Sequence, residues 1–187
     1  IGVLQEDLAR DEANRTNHLA ALEVLRGLGA DLRTVTLPDL SSGPLWLILE
    51  VEAAAAFDDL TRRDLDDQLV QQGPGNWPNL FRSARLIPAV EYVQASRLRS
   101  ELVAAMDALF RDLDVVVAPA WSGRSLLFSN MTGHPCVVVP NGDKSGGAPA
   151  SLCFLGSLFD EGAALEAAMA FQRVTAWHRQ QPPQFAP

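Results

Sequence analysis

The chain opens on a short apolar run, Ile1–Leu4, which reads as a buried strand. From about Asp11 to Leu28 the apolar period becomes three and four residues. Ala21, Leu22, Val24, Leu25 and Leu28 share one side and Gly29 supplies a stop, which predicts a helix. Leu32–Leu37 predicts a second strand, closed by Pro38. Strand, helix and strand in that order form the pattern of a parallel βαβ unit. Pro44 to about Phe57 is apolar and alanine-rich, with Pro44 suited to a first helical turn. Thr61–Gln71 is charged and reads as helical, and Gly73–Asn79 reads as a loop from its turn residues. The clearest helical pattern runs from Pro88 to about Asp112, where Ala95, Leu98, Leu102, Ala105, Met106, Leu109 and Leu113 recur at steps of three and four residues.

Asp114–Ala118 predicts a buried strand stopped by Pro119. Trp121–Thr132 is polar, rich in small residues and weakly periodic. Cys136–Pro140 and Ala150–Leu155 predict an antiparallel hairpin about the glycine-rich turn Asn141–Gly147. Asp160 can cap a last helix whose stripe is Ala164, Leu165, Ala168, Phe171 and Thr175. Gln180–Pro187 is expected to be a loose tail. Strands interleaved with helices predict an α/β fold, a mixed β-sheet flanked by helices.

At 187 residues the chain can form one domain with a real core, and one domain over 1–187 is expected. A formal net charge of −8 argues against non-specific nucleic-acid binding and against docking on anionic membranes. No apolar stretch reaches the roughly eighteen residues that a membrane span needs. The chain begins at Ile1, without an initiator Met or a leader pattern, so the opening reads as a strand cut at its start. A truncated or processed chain is the expectation. A cytoplasmic location is expected, with an export signal left open.

Several constellations have ordinary explanations. The three histidines are scattered, and His134 with Cys136 cannot close a tetrahedral zinc site, so no metal is expected. Cys136 and Cys153, each in an apolar run, read as buried free thiols. Ser41-Ser42-Gly43 reads as a loop before a helix. Gly142–Gly147 lacks the Gly-Lys-Ser/Thr ending and the helix start of a phosphate loop. Asp58, Asp59, Asp64, Asp66 and Asp67, with Arg62 and Arg63 among them, read as a solvated helical face.

The last third carries a resemblance. Phe128-Ser129-Asn130-Met131-Thr132-Gly133-His134-Pro135, followed by Cys136-Val137-Val138-Val139-Pro140-Asn141-Gly142, resembles the amidase-signature family, in which an Asn-Leu-Thr-Gly-His-Pro-like turn leads into a strand. Gly147-Ala148-Pro149 and the strand after it are similar to the family's Gly-Xaa-Pro strand. Phe159-Asp160-Glu161 before an alanine-rich helix, and Phe171-Gln172 to Trp177-His178, continue the likeness. Upstream, Asn76-Trp77-Pro78-Asn79 and Ile87-Pro88-Ala89 resemble one branch of the family, and Ile1–Pro38 resembles its segment just after the signature. The likeness covers nearly the whole chain and rests on the order and spacing of its motifs.

The resemblance implies the C-terminal portion of the amidase-signature fold. In that family a serine nucleophile, a second serine with a cis peptide and a lysine hydrolyse or transfer amides. All three would lie N-terminal to the region matched, so no catalytic residue is expected in this chain. Lysine occurs once, as Lys144 between Asp143 and Ser145 in a turn expected to be wet. A lysine base must be desolvated. Asn130 and Thr132 are candidates for one wall of the substrate cleft, with a purely structural role in the turn as the alternative. Arg82 and Arg85 could orient a polar substrate group, with surface charge as the alternative.

No cofactor is implied. The implied partners are the missing N-terminal half and a small-molecule amide, with no nucleic acid, no membrane and a possible homo-oligomer. One alternative is a non-catalytic remnant or binding partner with the same fold. A further one is the glutamine-amidotransferase component that modifies transfer RNA, set behind the hydrolase by the Trp-Pro-Asn branch. Half of a larger sheet would expose an apolar patch, with Ile1, Val3, Val35, Val115 and Val117 as the expected contributors.

Overall fold

The computed structural model describes residues 1–121, 123–144 and 147–181. Residues 1–38 and 104–187 form one compact unit, and 39–103 form a second. The first is built on a five-stranded mixed sheet in the order β2-β1-β3-β5-β4. Here β1 is Gly2–Val3, β2 Arg33–Thr34, β3 Val115–Pro119, β4 Cys136–Asp143 and β5 Pro149–Gly156. Strand β1 runs parallel to both β2 and β3, while β5 is antiparallel to both β3 and β4. The parallel βαβ unit and the antiparallel hairpin are therefore both present, with β1 and β2 shorter than their apolar runs.

Every residue of β3 is buried, as a strand covered on both faces must be. Val115 and Val117 join Val3, Phe154 and Phe171 in one apolar cluster, to which Ala21, Leu22 and Leu25 of helix α2 (Arg15–Gly27) and Ala168 of helix α8 (Glu161–Thr175) contribute. Val116 and Ala118, on the other face, are equally buried. The expected exposed patch is thus overturned at its centre. Val3, Val115 and Val117 are core, and Ile1 and Val35 are half-buried. The large apolar side chain that the sheet does expose is on the edge strand β4, at Val138.

Several predicted elements are redrawn. The helix expected from Asp11 to Leu28 is preceded by α1 (Gln5–Arg10) and a 3-10 turn, Glu12–Asn14, before α2 begins. Asp11 causes the break. Its carboxylate accepts two hydrogen bonds from Asn14 Nδ2, at 2.9 and 3.1 Å, and such side-chain bonds compete with the helical ladder. Leu28 and Leu165, both placed on buried stripes, are largely exposed. Asp160 caps α8 as expected, its Oδ1 accepting from the Ala163 amide at 3.2 Å. The polar segment Trp121–Thr132 contains a helix, α7 (Ser125–Thr132), ended by Gly133 at φ 82, where a side chain would be strained. Of the tail expected to be loose, 182–187 lies outside the described residues. Among the described residues no helix is long and apolar enough to cross a membrane.

The second unit is helical. Helix α3 (Gly43–Ala56) has Pro44 in its first turn, as expected. The helix expected over Thr61–Gln71 does not form. Helix α4 is confined to Asp58–Arg62, Asp64 at φ 54 breaks the run, and a 3-10 turn occupies Asp66–Gln68. Helix α5 (Trp77–Ala84) starts inside the expected loop, with Pro78 in its first turn, where its missing N–H costs nothing. Ala54, Phe81 and Ala84 form a small apolar cluster, with Phe57 and Trp77 stacked on Phe81 at 5.4 and 5.6 Å. Helix α6 (Ala89–Phe110) carries the chain out of this unit, with Ala95, Leu102, Met106 and Phe110 as its buried positions.

Candidate functional site

Strand register defines two rims of the sheet. Val3 of β1 pairs with Val117, and Pro119 at the end of β3 pairs with Leu152 of β5. The carboxyl ends of β1 and β3 therefore share a rim with the start of β5. In sheets with parallel strands this rim is where ligands settle, because loops and helix starts converge there. At the other end Gly2 pairs with Val116, Val116 with Leu155, and Leu155 with Cys136. The turn leading into β4 therefore lies on the amino rim.

The carboxyl rim gathers charged side chains around two hollows. One, of about 260 Å³, is lined by Glu6, Asp7 and Arg10 of α1, by Thr36, and by Gly123 and Arg124. Burial raises the Asp7 carboxyl above its ordinary value, while the charges of Arg10 and Arg124 pull it back. A Cβ on Gly123 would lie 2.6 Å from the Asp7 carboxyl carbon, and Gly123 has φ 76, so only glycine fits. The Arg124 guanidinium sits 5.1 Å from the centre of the Phe128 ring.

The second is a cavity of about 180 Å³ whose lining includes Asp11, Asn14, Trp121, Lys144 and Ser151. Burial would raise the Asp11 carboxyl, but hydrogen bonds from Asn14 and His18 outweigh it and hold the value below the ordinary one. His18 is 1% exposed, with Nε2 3.0 Å from Asp11 Oδ2. Lys144 is half-buried rather than wet and lines this cavity. Among the described residues no hydrogen bond links the Lys144 ammonium to a serine; Ser145 lies outside them.

Asn130 and Thr132 sit on α7 next to the amino rim, and they are unlike each other. Asn130 is exposed. Thr132 is buried, and its hydroxyl donates to the Phe128 carbonyl at 2.7 Å. That leaves its oxygen to accept from His134 Nδ1, also at 2.7 Å, which fixes His134 as the Nδ1–H tautomer. His134 is buried and stacked on Phe110 at 5.1 Å, and burial lowers its pKa, so the ring is neutral. Arg82 and Arg85 belong to the helical unit. Arg82 Nε stands 2.8 Å from Asp66 Oδ2, out of hydrogen-bond alignment, and its terminal nitrogen bonds Asp67. Arg85 bonds Asp58, which Arg62 also bonds. Asp66 is 2% exposed, which corrects its placement on a solvated face.

Asp7, Asp11 and Arg124 are rim residues that the pattern of the sequence did not single out. The available signal was position, just beyond the carboxyl end of a predicted strand. Among the described residues no group of three or more His, Cys, Asp or Glu side chains could hold a metal ion.

The fold has counterparts among known proteins. A bacterial aryl acylamidase of the amidase-signature enzymes superposes with a TM-score of 0.68 at 20% identity, covering 86% of this chain and 40% of that one. The A-type component of the glutamyl-tRNA(Gln) amidotransferase of Synechococcus elongatus is 26% identical over 97% of this chain and 46% of its own length. An amidase of Pseudomonas putida is 26% identical over 87% of this chain and 40% of its own. The chain is similar in sequence to amidases and amidotransferase components, and in fold to amidase-signature enzymes. No protein-family model matches it. The chain spans less than half the length of these amidase-signature relatives, so it corresponds to part of the family's fold.

Proposed function

We propose that this chain is the C-terminal part of an amidase-signature hydrolase, both units belonging to one amidase domain. The complete protein cleaves an amide C–N bond with water, giving a carboxylate and an amine through an acyl-serine. The Ser-Ser-Lys triad of that reaction lies outside this chain. The chain supplies sheet and one wall of the cleft for a small-molecule amide, with Asn130 and Thr132 as wall residues and Arg82 and Arg85 as orienting charges. The observation that carries this reading is Lys144, the chain's single lysine, placed beside an ionised Asp11 and unbonded to any described serine. The chain alone therefore has no amidase activity. The test is hydrolysis of aryl and aliphatic amides by the purified chain and by Lys144→Ala. Activity above the buffer blank that disappears in Lys144→Ala would sink the proposal.

A second reading is supported by the glutamyl-tRNA(Gln) amidotransferase component among the relatives, which matches 97% of this chain. In that case the complete protein takes glutamine as its amide and transfers the nitrogen instead of releasing it. Ammonia release from glutamine, compared with release from simple aryl amides by the complete protein, separates the two readings.

A further inference from the structure

The chain has two cysteines, and the hairpin brings them together. Cys136 opens β4 opposite Leu155, and Cys153 in β5 lies opposite Val138. They are diagonal neighbours on one face of the β4–β5 ladder, close enough for side chains to meet. Their sulfurs are 2.8 Å apart and both are free thiols. A disulfide needs about 2.05 Å, so less than an ångström of closure separates the two states. Access is unequal: Cys136 is exposed and Cys153 is buried. This corrects the expectation of two buried thiols, because position 136 lies on the uncovered stretch of an edge strand.

We propose that Cys136 is a thiol–disulfide exchange site for low-molecular-weight disulfides, with Cys153 as its resolving thiol. The exposed sulfur is the one a small disulfide can reach, and the buried one lies directly behind it. The hydrogen bond between them sets the order of reaction. With Cys153 donating, the Cys136 thiol is held below the ordinary range against the opposing effect of burial. The same bond, and then burial, push the Cys153 thiol up. The thiolate is the nucleophile, so attack begins at Cys136.

In the first step the Cys136 thiolate attacks one sulfur of the small disulfide. A new S–S bond forms at Cys136, the small molecule's own S–S bond breaks, and one small thiolate leaves. In the second step Cys153 gives its proton to a released thiolate and attacks Cys136 Sγ. The Cys136–Cys153 bond forms and the second small thiol departs. Two protein thiols are oxidised and one small disulfide is reduced to two thiols. The product ties β4 to β5 immediately after helix α7, which carries Asn130 and Thr132, and the turn that carries His134.

The experiment uses the whole chain, fully reduced, incubated without denaturant with oxidised glutathione, then quenched in acid and read by intact mass and peptide mapping. The expected product has lost the mass of two hydrogens, carries no adduct, and maps to a Cys136–Cys153 linkage. Cys153→Ala should stop at a stable glutathione adduct on Cys136. Cys136→Ala should react at least about tenfold more slowly, since a buried, protonated thiol is a poor nucleophile. Wild-type chain that keeps both thiols, holds an unresolved adduct, reacts first at Cys153 or links two chains would overturn the proposal. Should either variant fail to fold, the wild-type time course still decides, because the adduct and the bridged form differ in mass.

Discussion

In the sheet unit, Val115, Val117, Leu152, Phe154 and Phe171 vanish from solvent inside one cluster fed by strands and by two helices. In the helical unit one small cluster joins Ala54, Phe81 and Ala84, beside fully buried Leu45 and Ile48, and Phe57 and Trp77, which stack on Phe81, stay about half exposed. The helical unit adds charge to this. Arg82 is held between Asp66 and Asp67, and Asp58 between Arg62 and Arg85. Apolar burial is indifferent to ions, whereas partly exposed ion pairs are screened by them. The two units therefore answer to different solution conditions, although one helix, α6, passes from one to the other.

The strongest way to break this comparison is core truncation. Phe154→Ala should cost about 3–5 kcal/mol, as large-to-small changes at fully buried aromatics do, and Phe81→Ala about 2, because its stacking partners are half in water. Urea unfolding measures both, and equal losses would end the distinction. Next comes Gly123→Ala, at about 1–3 kcal/mol, from a left-handed backbone and a Cβ driven into the Asp7 carboxylate. The loss should appear in a chain whose only tryptophan is Trp177, which packs against the sheet cluster. Asp66→Asn should cost about 1 kcal/mol, since Arg82 keeps Asp67 as a partner. A chain whose only tryptophan is Trp77 should show this loss, and raising the salt should shrink it.

The smallest effect, and the sharpest test, is in the pH window. Burial holds His134 neutral, with its folded pKa below the ordinary 6.5. The unfolded chain binds that proton first, so the stabilisation is complete above 6.5 and declines as pH falls toward the folded value. Asp58 is shifted down from 3.8 by hydrogen bonds from Arg62 and then Arg85. Its contribution is complete above 3.8 and is lost as pH drops through the lower, folded value. Mild acid should therefore loosen the Trp177 reporter before the Trp77 reporter, and His134→Gln should abolish the mild-acid response.

Much of the fold was legible in the chain because buried strands and long helices write their own period. Val115–Ala118, the Cys136–Leu155 hairpin and α6 are apolar at the positions their geometry demands. What escaped was local and polar. Helix α7 mixes buried Ser125, Ser129 and Thr132 with exposed Leu126 and Asn130, which erases the amphipathic pattern. Pro78 read as a turn residue although it serves equally well as the start of a helix. The carboxyl-rim group was illegible for a different reason. Asp7 and Arg124 meet only because β1 and β3 are neighbours, and no local pattern at either residue announces that.

The strand order also has a consequence for how the chain comes together in time. Gly2 and Val3 are made well before their partners in β3, which appear only after everything from Asp39 to Val103 has been added. Closing so long a loop is entropically costly, and pairing between distant strands is slow. The β4–β5 hairpin, whose partners are near in sequence, can form early and give β3 an edge to pair with. If the intervening helical unit folds as a body of its own, it shortens the effective loop that β1 must close. The opening strand would then be the last piece to dock, and any variant that delays the helical unit should slow refolding more than it lowers final stability.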